Sequence, residues 1–475
     1  MCGFVGVIGP ERAAPEIVMA LQALQHRGQD AAGVGTYDGE RFHLEKNLGL
    51  VTQALPERTV QAMKGHVGVG HVRYPTVGGG DKGDAQPFLT RRPGILMAHN
   101  GNVTNLKELE SSLLEKGIHV LSRCDVEPIL MALADELGDL KGPGPTFDQL
   151  AAACGRVMDR VRGGYSVVAT MLVDGEASLV AFRDAHGIRP LVMGKRDDGA
   201  WMVASESVAL DLLDYKDMRY LAAGSVAVLR AGREPVVREV RREESRPCVF
   251  ERIYFARADA VVEEGRVNQI RWDLGTRLAD EWKAKGLEAD VTVAVPDTSR
   301  PAAMAMAERL GIVNREGFIK NRYSGRTFIM PHQAMRDAAL RLKLNPIREV
   351  FEGKRVIVVD DSIVRGTTMR RIVRLVREMD PASIHVAIFS PPVRNPCFYG
   401  IDMPSHAELV AARRQESLED DLATMFGADT VTFLSNEGMH AVLGTTMCGA
   451  CFDGDYVVPV SDNERAIILD DRRSA

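Results

Sequence analysis

No run of about 18 apolar residues occurs anywhere in the 475-residue sequence, so no transmembrane helix is predicted. The opening Met1-Cys2-Gly3 lacks the basic segment and apolar core of a secretory leader, and a cytoplasmic protein that does not engage membranes is expected. An excess of positive charge is also missing. The formal net charge is −6, whereas neutralising nucleic-acid phosphates needs a basic surface, so nucleic acid is not an expected partner. Arg and Lys gather only locally, over 320–341. The cysteines number seven; an odd count without a secretion signal reads as thiols or metal ligands rather than disulfides.

A hydrophobic fraction of 45% is ample for sizeable cores, and the length suits about three domains or two larger ones. The most informative stretch is 355–368, Arg-Val-Ile-Val-Val-Asp-Asp-Ser-Ile-Val-Arg-Gly-Thr-Thr. Its β-branched run predicts a strand over 356–359, buried on both faces of a parallel sheet. Two carboxylates, Asp360 and Asp361, follow at once, then a loop rich in hydroxyls over 362–368. A helix is predicted over 369–379, where Ile372, Leu375, Val376 and Met379 recur at helical spacing. Adjacent acids suit sugar hydroxyls or hydrated Mg²⁺, and the N–H groups of a helix start suit a phosphate. The plainer alternative is an acid pair that caps the next helix, but seven loop residues beside two acids exceed what a cap needs.

This stretch resembles the phosphoribosyl-pyrophosphate (PRPP) motif of type I phosphoribosyltransferases. The resemblance implies that Asp360 and Asp361 hold the ribose hydroxyls, and that Ser362, Ile363, Val364, Arg365, Gly366, Thr367 and Thr368 cradle the 5′-phosphate.

In the N-terminal half, Cys2 opens a predicted strand, and a helix follows from Pro15 with Ile17, Val18, Leu21 and Leu24 on one face. Removal of Met1 is expected before so small a residue. It would give Cys2 a free α-amine that can serve as base for its own thiol. Arg73 in His71-Val72-Arg73-Tyr74 suits a bidentate grip on a carboxylate. His99-Asn100-Gly101-Asn102 offers an amide and a glycine N–H, the parts of an oxyanion hole. Asp125, before an apolar helical segment, could hold an ammonium. Together these fit free glutamine. They resemble the class II glutamine amidotransferase domain of the N-terminal-nucleophile hydrolases, through Met1 to Gly6, His26-Arg27-Gly28-Gln29-Asp30 and the segments just named. The resemblance implies a four-layer αββα fold. It also implies Cys2 as nucleophile, Arg73 and Asp125 as the glutamine grip with Arg27 close by, and Asn100 and Gly101 as the oxyanion hole.

The composition turns charged and weakly patterned over 230–247, which marks a domain crossing; domains are expected over 2–235 and 250–475. Beyond it strands over 291–295, 355–359 and 384–389 alternate with helices over 301–310 and 369–379, implying a doubly wound parallel sheet. Pro296-Asp297-Thr298-Ser299-Arg300 lies at a strand end. Either hydroxyl could cap the helix there, and resemblance gives Thr298 to Mg²⁺ beside Asp360 and Asp361. The basic, aromatic segment 320–328 reads as a solvated loop or as a lid over a pyrophosphate. It resembles the flexible loop of amidophosphoribosyltransferases, which implies PRPP contacts from Lys320, Tyr323 and Arg326.

Cys448-Gly449-Ala450-Cys451 has metal-ligand spacing, and Cys248 and Cys397 could complete a set. Spacing leaves Zn²⁺ and an iron–sulfur cluster both open. Cys124 and Cys154 are expected to be buried or partly buried thiols. By resemblance of 248–256 and 394–402, the chain is identified as a member of the amidophosphoribosyltransferase family, in the branch with a [4Fe–4S] cluster. What this implies is glutamine hydrolysis at Cys2 and internal ammonia transfer to PRPP. The products would be 5-phosphoribosylamine, glutamate and pyrophosphate, the committed step of purine synthesis, in a homotetramer under purine-nucleotide feedback. Another class II amidotransferase, or a PRPP-binding regulatory module without transfer, are the alternatives.

Overall fold

The computed structural model describes residues 2–75, 80–140, 142–263, 265–321, 344–412 and 417–474. Alternation along the first strand, Gly3–Ile8, sets the layers of the N-terminal half. Phe4 and Ile8 point into a core shared with Leu96, Ala98, Val168 and Leu179 of a second sheet, while Val5 and Val7 pack on Ile17 and Leu21 of the helix Ala13–Ala23. A strand whose two faces are both apolar must be covered on both sides. The result is two antiparallel sheets stacked face to face between helical layers.

The first sheet runs in the order Lys216–Tyr220, Val192–Lys195, Trp201–Ala204, Gly3–Ile8, Val67–Arg73, Ala31–Tyr37, Phe42–Leu48. The second runs Val236–Glu239, Ser225–Leu229, Glu176–Arg183, Gly163–Val173, Gly94–Val103, Phe88–Arg91. Helices Leu106–Glu115, Val126–Leu137 and Phe147–Arg160 cover its outer face. Its edge strand Val236–Glu239 is exposed along its whole length and pairs with Ser225–Leu229, so the sheet reaches into the charged stretch expected to be a crossing.

In the C-terminal half five parallel strands stand in the order Val313–Asn314, Val291–Ala294, Arg355–Asp360, Ser383–Ile388, Thr430–Phe433. Val356 and Val358 face Met369, Ile372 and Val376 of the helix Thr367–Arg377; Ile357 and Val359 face Leu274, Ala302 and Met306 on the other side. All four are fully buried, which is why the run is uniformly apolar, and truncating one to Ala costs roughly 2–4 kcal/mol. Strand order reverses between Val291–Ala294 and Arg355–Asp360, and a crevice opens beyond the carboxyl ends of strands at such a point. Both predicted substrate segments, 296–300 and 360–368, leave the sheet there. Among the described residues no helix is long and apolar enough to cross a membrane.

Candidate active sites

Asp360 ends its strand and Asp361 begins the turn; Gly366, at φ +76°, leads into the helix Thr367–Arg377 without a side-chain cap. The acid pair therefore does not cap this helix, and the free helix start faces a cavity of about 900 Å³. Asp360 Oδ1 accepts from the Asp361 N–H at 2.9 Å and from Ser299 Oγ at 3.0 Å; Ser362 Oγ donates to Asp361 Oδ1 at 2.6 Å. Burial, then repulsion from Asp361, pushes the Asp360 carboxyl well above the usual range. Burial also raises Asp361, to about 6, against the opposing effects of Ser362 and Arg271. A half-buried acid beside a buried one, with little positive charge near them, fits a divalent cation.

Thr298 lines the same cavity, but Ser299, which the sequence offered only as a cap, is the hydroxyl bonded to Asp360. The motif residues from Ser362 to Thr368 all line the cavity. Lys320 also lines it and ion-pairs with Asp297 at 2.7 Å, ending a short strand that pairs with Leu344–Pro346. Tyr323 and Arg326 lie outside the described residues.

Cys2 is 9% exposed. Its N–H donates to Asn100 Oδ1 at 3.3 Å and its Sγ lies 3.5 Å from the Tyr74 carbonyl. The first contact orients the Asn100 amide, whose Nδ2 is buried without a partner. A buried, unsatisfied donor beside a thiol is what an oxyanion hole requires of a resting enzyme. Gly101 follows at φ +152°, where a Cβ would come 2.1 Å from the Gly164 carbonyl oxygen.

Arg73 and Asp125 are both buried nearby. Arg73 lies 3.9 Å from Asp84. The Gln86 amide accepts from the His99 N–H at 2.8 Å and donates to His99 Nδ1 at 3.1 Å, which leaves the ring proton on Nε2, 3.2 Å from Asp125 Oδ2. Burial alone would raise the Asp125 carboxyl, but His99 and the Val103 N–H bring it below its ordinary value, so it stays ionised. Cys124, buried beside it, has its thiol pushed up to about 12 by burial and by Asp125, and Cys154 is buried as well.

Arg27 sits against Cys2, but its guanidinium is already engaged. Nε donates to the Cys2 carbonyl at 3.1 Å, Nη1 to Glu206 at 2.7 Å, and Nη2 to Glu251 at 2.7 Å. Glu206 and Glu251 lie in stretches that match the family but were given no chemistry in the sequence, because nothing local marks a glutamate whose partner is 179 or 224 positions away.

The two sites meet. The cavity around Asp360 is also lined by His26, Arg27, Gln29 and Tyr74 of the N-terminal half, and the Tyr74 hydroxyl donates to Asp402 at 3.0 Å. Gly400, at φ +105°, brings the backbone of the C-terminal half so close that a Cβ there would lie 2.9 Å from the Gly101 carbonyl carbon.

Cys248, Cys397, Cys448 and Cys451 are buried in one hydrophobic cluster. Cys248 and Cys448 form a backbone bridge, and the carbonyl of Cys451 accepts from Arg394 and Asn395, close to Cys397. Among the described residues no three acids, histidines or cysteines close around a single ion. Sulfurs around one tetrahedral Zn²⁺ would stand about 3.8 Å apart, from Zn–S bonds of about 2.3 Å, whereas a cubane spreads its ligands wider. Burial pushes the Cys248 thiol up to about 11 while Arg189 draws it down, and burial raises Cys448 and Cys451 too. A buried quartet with a buried guanidinium beside it fits an anionic metal–thiolate centre.

A family model described as a glutamine amidotransferase domain matches residues 73–212, and one described as a phosphoribosyl transferase domain matches residues 268–395. The chain is similar to the amidophosphoribosyltransferase of Pseudomonas aeruginosa, 41% identical over 471 residues, covering 96% of this chain and 93% of the relative. That of Escherichia coli is 42% identical over 445 residues, covering 91% and 86%. Among solved structures it resembles the glutamine PRPP amidotransferase from B. subtilis complexed with ADP and GMP, with a TM-score of 0.87 and 35% identity over 97% of this chain and 98% of that one.

Proposed function

The chain belongs to the amidophosphoribosyltransferase family, and from that premise we propose how its residues divide the reaction between two sites. The family reaction takes the amide nitrogen of glutamine to PRPP, giving 5-phosphoribosylamine, glutamate and pyrophosphate, the first committed step of purine synthesis. The glutaminase domain takes residues 2 to about 239 once the edge strand Val236–Glu239 is counted with its sheet, and the transferase domain takes 250–475.

Arg73 grips the glutamine carboxylate and Asp125, kept ionised by His99, its ammonium. The Cys2 thiol attacks the side-chain amide, with its own α-amine as base once Met1 is removed. Negative charge that develops on the amide oxygen is met by Asn100 Nδ2, already desolvated and unpartnered, and by the Gly101 N–H. Ammonia leaves, a thioester remains, and water releases glutamate. Arg27, bound to two glutamates, positions the Cys2 carbonyl rather than the substrate.

PRPP lies with its ribose hydroxyls on Asp360 and Asp361 and its 5′-phosphate in the 362–368 loop at the helix start. Lys320 covers its pyrophosphate, together with Tyr323 and Arg326. Asp360, Asp361 and Thr298 would hold Mg²⁺, which supplies charge neutralisation for the leaving pyrophosphate. Cys248, Cys397, Cys448 and Cys451 would hold a [4Fe–4S] cluster in a structural role, tying the end of the chain to the domain junction. Purine nucleotides as feedback inhibitors are supported by the ADP and GMP of the B. subtilis relative; a cytoplasmic homotetramer is the assembly we propose.

The observation that carries this reading is the shared cavity. Residues from both halves line it, among them Tyr74, whose carbonyl lies 3.5 Å from the Cys2 thiol, which supports passage of ammonia from Cys2 toward the PRPP held at Asp360. The test is pyrophosphate release driven by glutamine or by ammonium chloride. Cys2→Ala should abolish the first and retain the second; the opposite pattern sinks the assignment. Iron and acid-labile sulfide should be found in anaerobically purified protein and be lost in Cys451→Ser, and zinc in their place refutes the cluster.

A further inference from the structure

The charges buried between the two halves form a continuous chain. Arg27, Glu251 and Arg189 are each at most 1% exposed. Arg27 Nε donates to the Cys2 carbonyl at 3.1 Å, and its Nη2 to the two Glu251 oxygens at 2.7 and 3.0 Å. Arg189 Nη1 reaches the same carboxylate at 3.3 Å, while its Nε donates to the Tyr399 carbonyl at 2.6 Å. The Tyr399 N–H donates to Cys397 Sγ at 3.4 Å, and the carbonyl of Ile188, next to Arg189, accepts from the Cys248 N–H at 3.1 Å. The chain thus begins on the backbone of Cys2 and ends on two members of the cysteine quartet.

Such a chain is stiff for an energetic reason. Two guanidiniums share one carboxylate where water does not reach, and an uncompensated buried charge is costly enough that no member withdraws alone. Negative charge on the quartet attracts Arg189, which shares Glu251 with Arg27, so a change there alters how Arg27 is held between Glu251 and Glu206, to which its Nη1 donates at 2.7 Å.

We propose that Glu251 and Arg189 are positioning residues that anchor the Cys2 carbonyl to the four-cysteine centre, so that the state of that centre sets the reactivity of the nucleophile. This rests on the reading of Cys2 as nucleophile and of the quartet as a metal centre.

The experiment measures alkylation of Cys2 by iodoacetamide, read by peptide mass spectrometry, in metal-loaded and metal-stripped full-length protein, beside kcat and KM for glutamine. Wild type should alkylate at different rates in the two states. Arg189→Met and Glu251→Gln should slow alkylation by about tenfold or more, lower kcat for glutamine with little change in KM, and erase the difference between the two states. Arg189→Lys, which keeps the charge, should restore much of the rate. Ammonia-driven turnover serves as the check that each variant is folded. The proposal is overturned if the loaded and stripped states differ as much in Arg189→Met as in wild type, or if wild type shows no difference. If the purified protein holds no metal, the cluster reading fails by itself, and the positioning role still stands or falls on Glu251→Gln against Arg189→Lys.

Discussion

Replacing Asn100 by Ala separates transition-state binding from folding. In the resting protein the Asn100 side chain accepts one hydrogen bond, from the Cys2 N–H to Oδ1, and leaves Nδ2 buried without a partner. Losing the bond leaves the buried Cys2 N–H unpaired at a cost of about 1–3 kcal/mol, and removing the unsatisfied buried Nδ2 returns about the same. The stability of Asn100→Ala should therefore stay within about 1 kcal/mol of wild type. Catalysis should not escape so lightly, because a single oxyanion donor is worth about 2.7–4 kcal/mol, or roughly 10²–10³ in kcat. Asn100→Asp keeps an acceptor for the Cys2 N–H but turns an oxygen toward the developing oxyanion, so its loss should exceed that of Ala. The assay is steady-state pyrophosphate release with saturating glutamine and, separately, with ammonium chloride, alongside thermal unfolding. Glutamine-driven kcat should fall as stated while ammonia-driven kcat holds within about twofold. A loss below about tenfold in Asn100→Ala, a more active Asn100→Asp, or a parallel fall with ammonia would refute the reasoning.

Two further expectations concern pH. Burial alone would raise Glu206, but the hydrogen bond and charge of His26, the charge of Arg27 and the Arg257 N–H hold its carboxyl at about 2 against an ordinary 4.5. A depressed carboxyl stabilises the fold above its unfolded value and loses that stabilisation as pH falls toward its folded value. The gap between wild type and Glu206→Gln should thus shrink by about 2 kcal/mol between pH 7 and pH 3 in urea unfolding, and a gap independent of pH would contradict the network. For the acid pair the sign is opposite. Asp360 and Asp361 are raised, so Mg²⁺ competes with protons, and the thermal stabilisation by Mg²⁺ should grow as pH rises through about 6 and disappear in Asp361→Asn. Stabilisation that is flat from pH 5 to 8 would place the cation elsewhere.

Local chemistry was legible in the chain itself. The run 356–359 is apolar at every position because both faces of its strand are buried, and the acids, loop and helix start that follow lie within a few residues of one another. Predicted strands and helices at 291–295, 301–310 and 369–379 fall within about two residues of the observed Val291–Ala294, Arg300–Leu310 and Thr367–Arg377, since hydrophobic period and turn residues fix them before any long-range contact forms. Cys2, Asn100 and Asp125 were likewise marked by their own short segments. Pairing across the chain was left to the tertiary structure. Only the packed fold could give Arg27 to Glu206 and Glu251 and choose Ser299 rather than Thr298 as the hydroxyl bonded to Asp360, and it buried in one core the cysteines 248, 397, 448 and 451 that resemblance had grouped. It also brought His26, Arg27, Gln29 and Tyr74 of the N-terminal half to the wall of the cavity around Asp360. The physical reason is that a buried charge or thiol must be compensated by whatever the fold brings next to it, and that neighbour leaves no periodicity in the sequence.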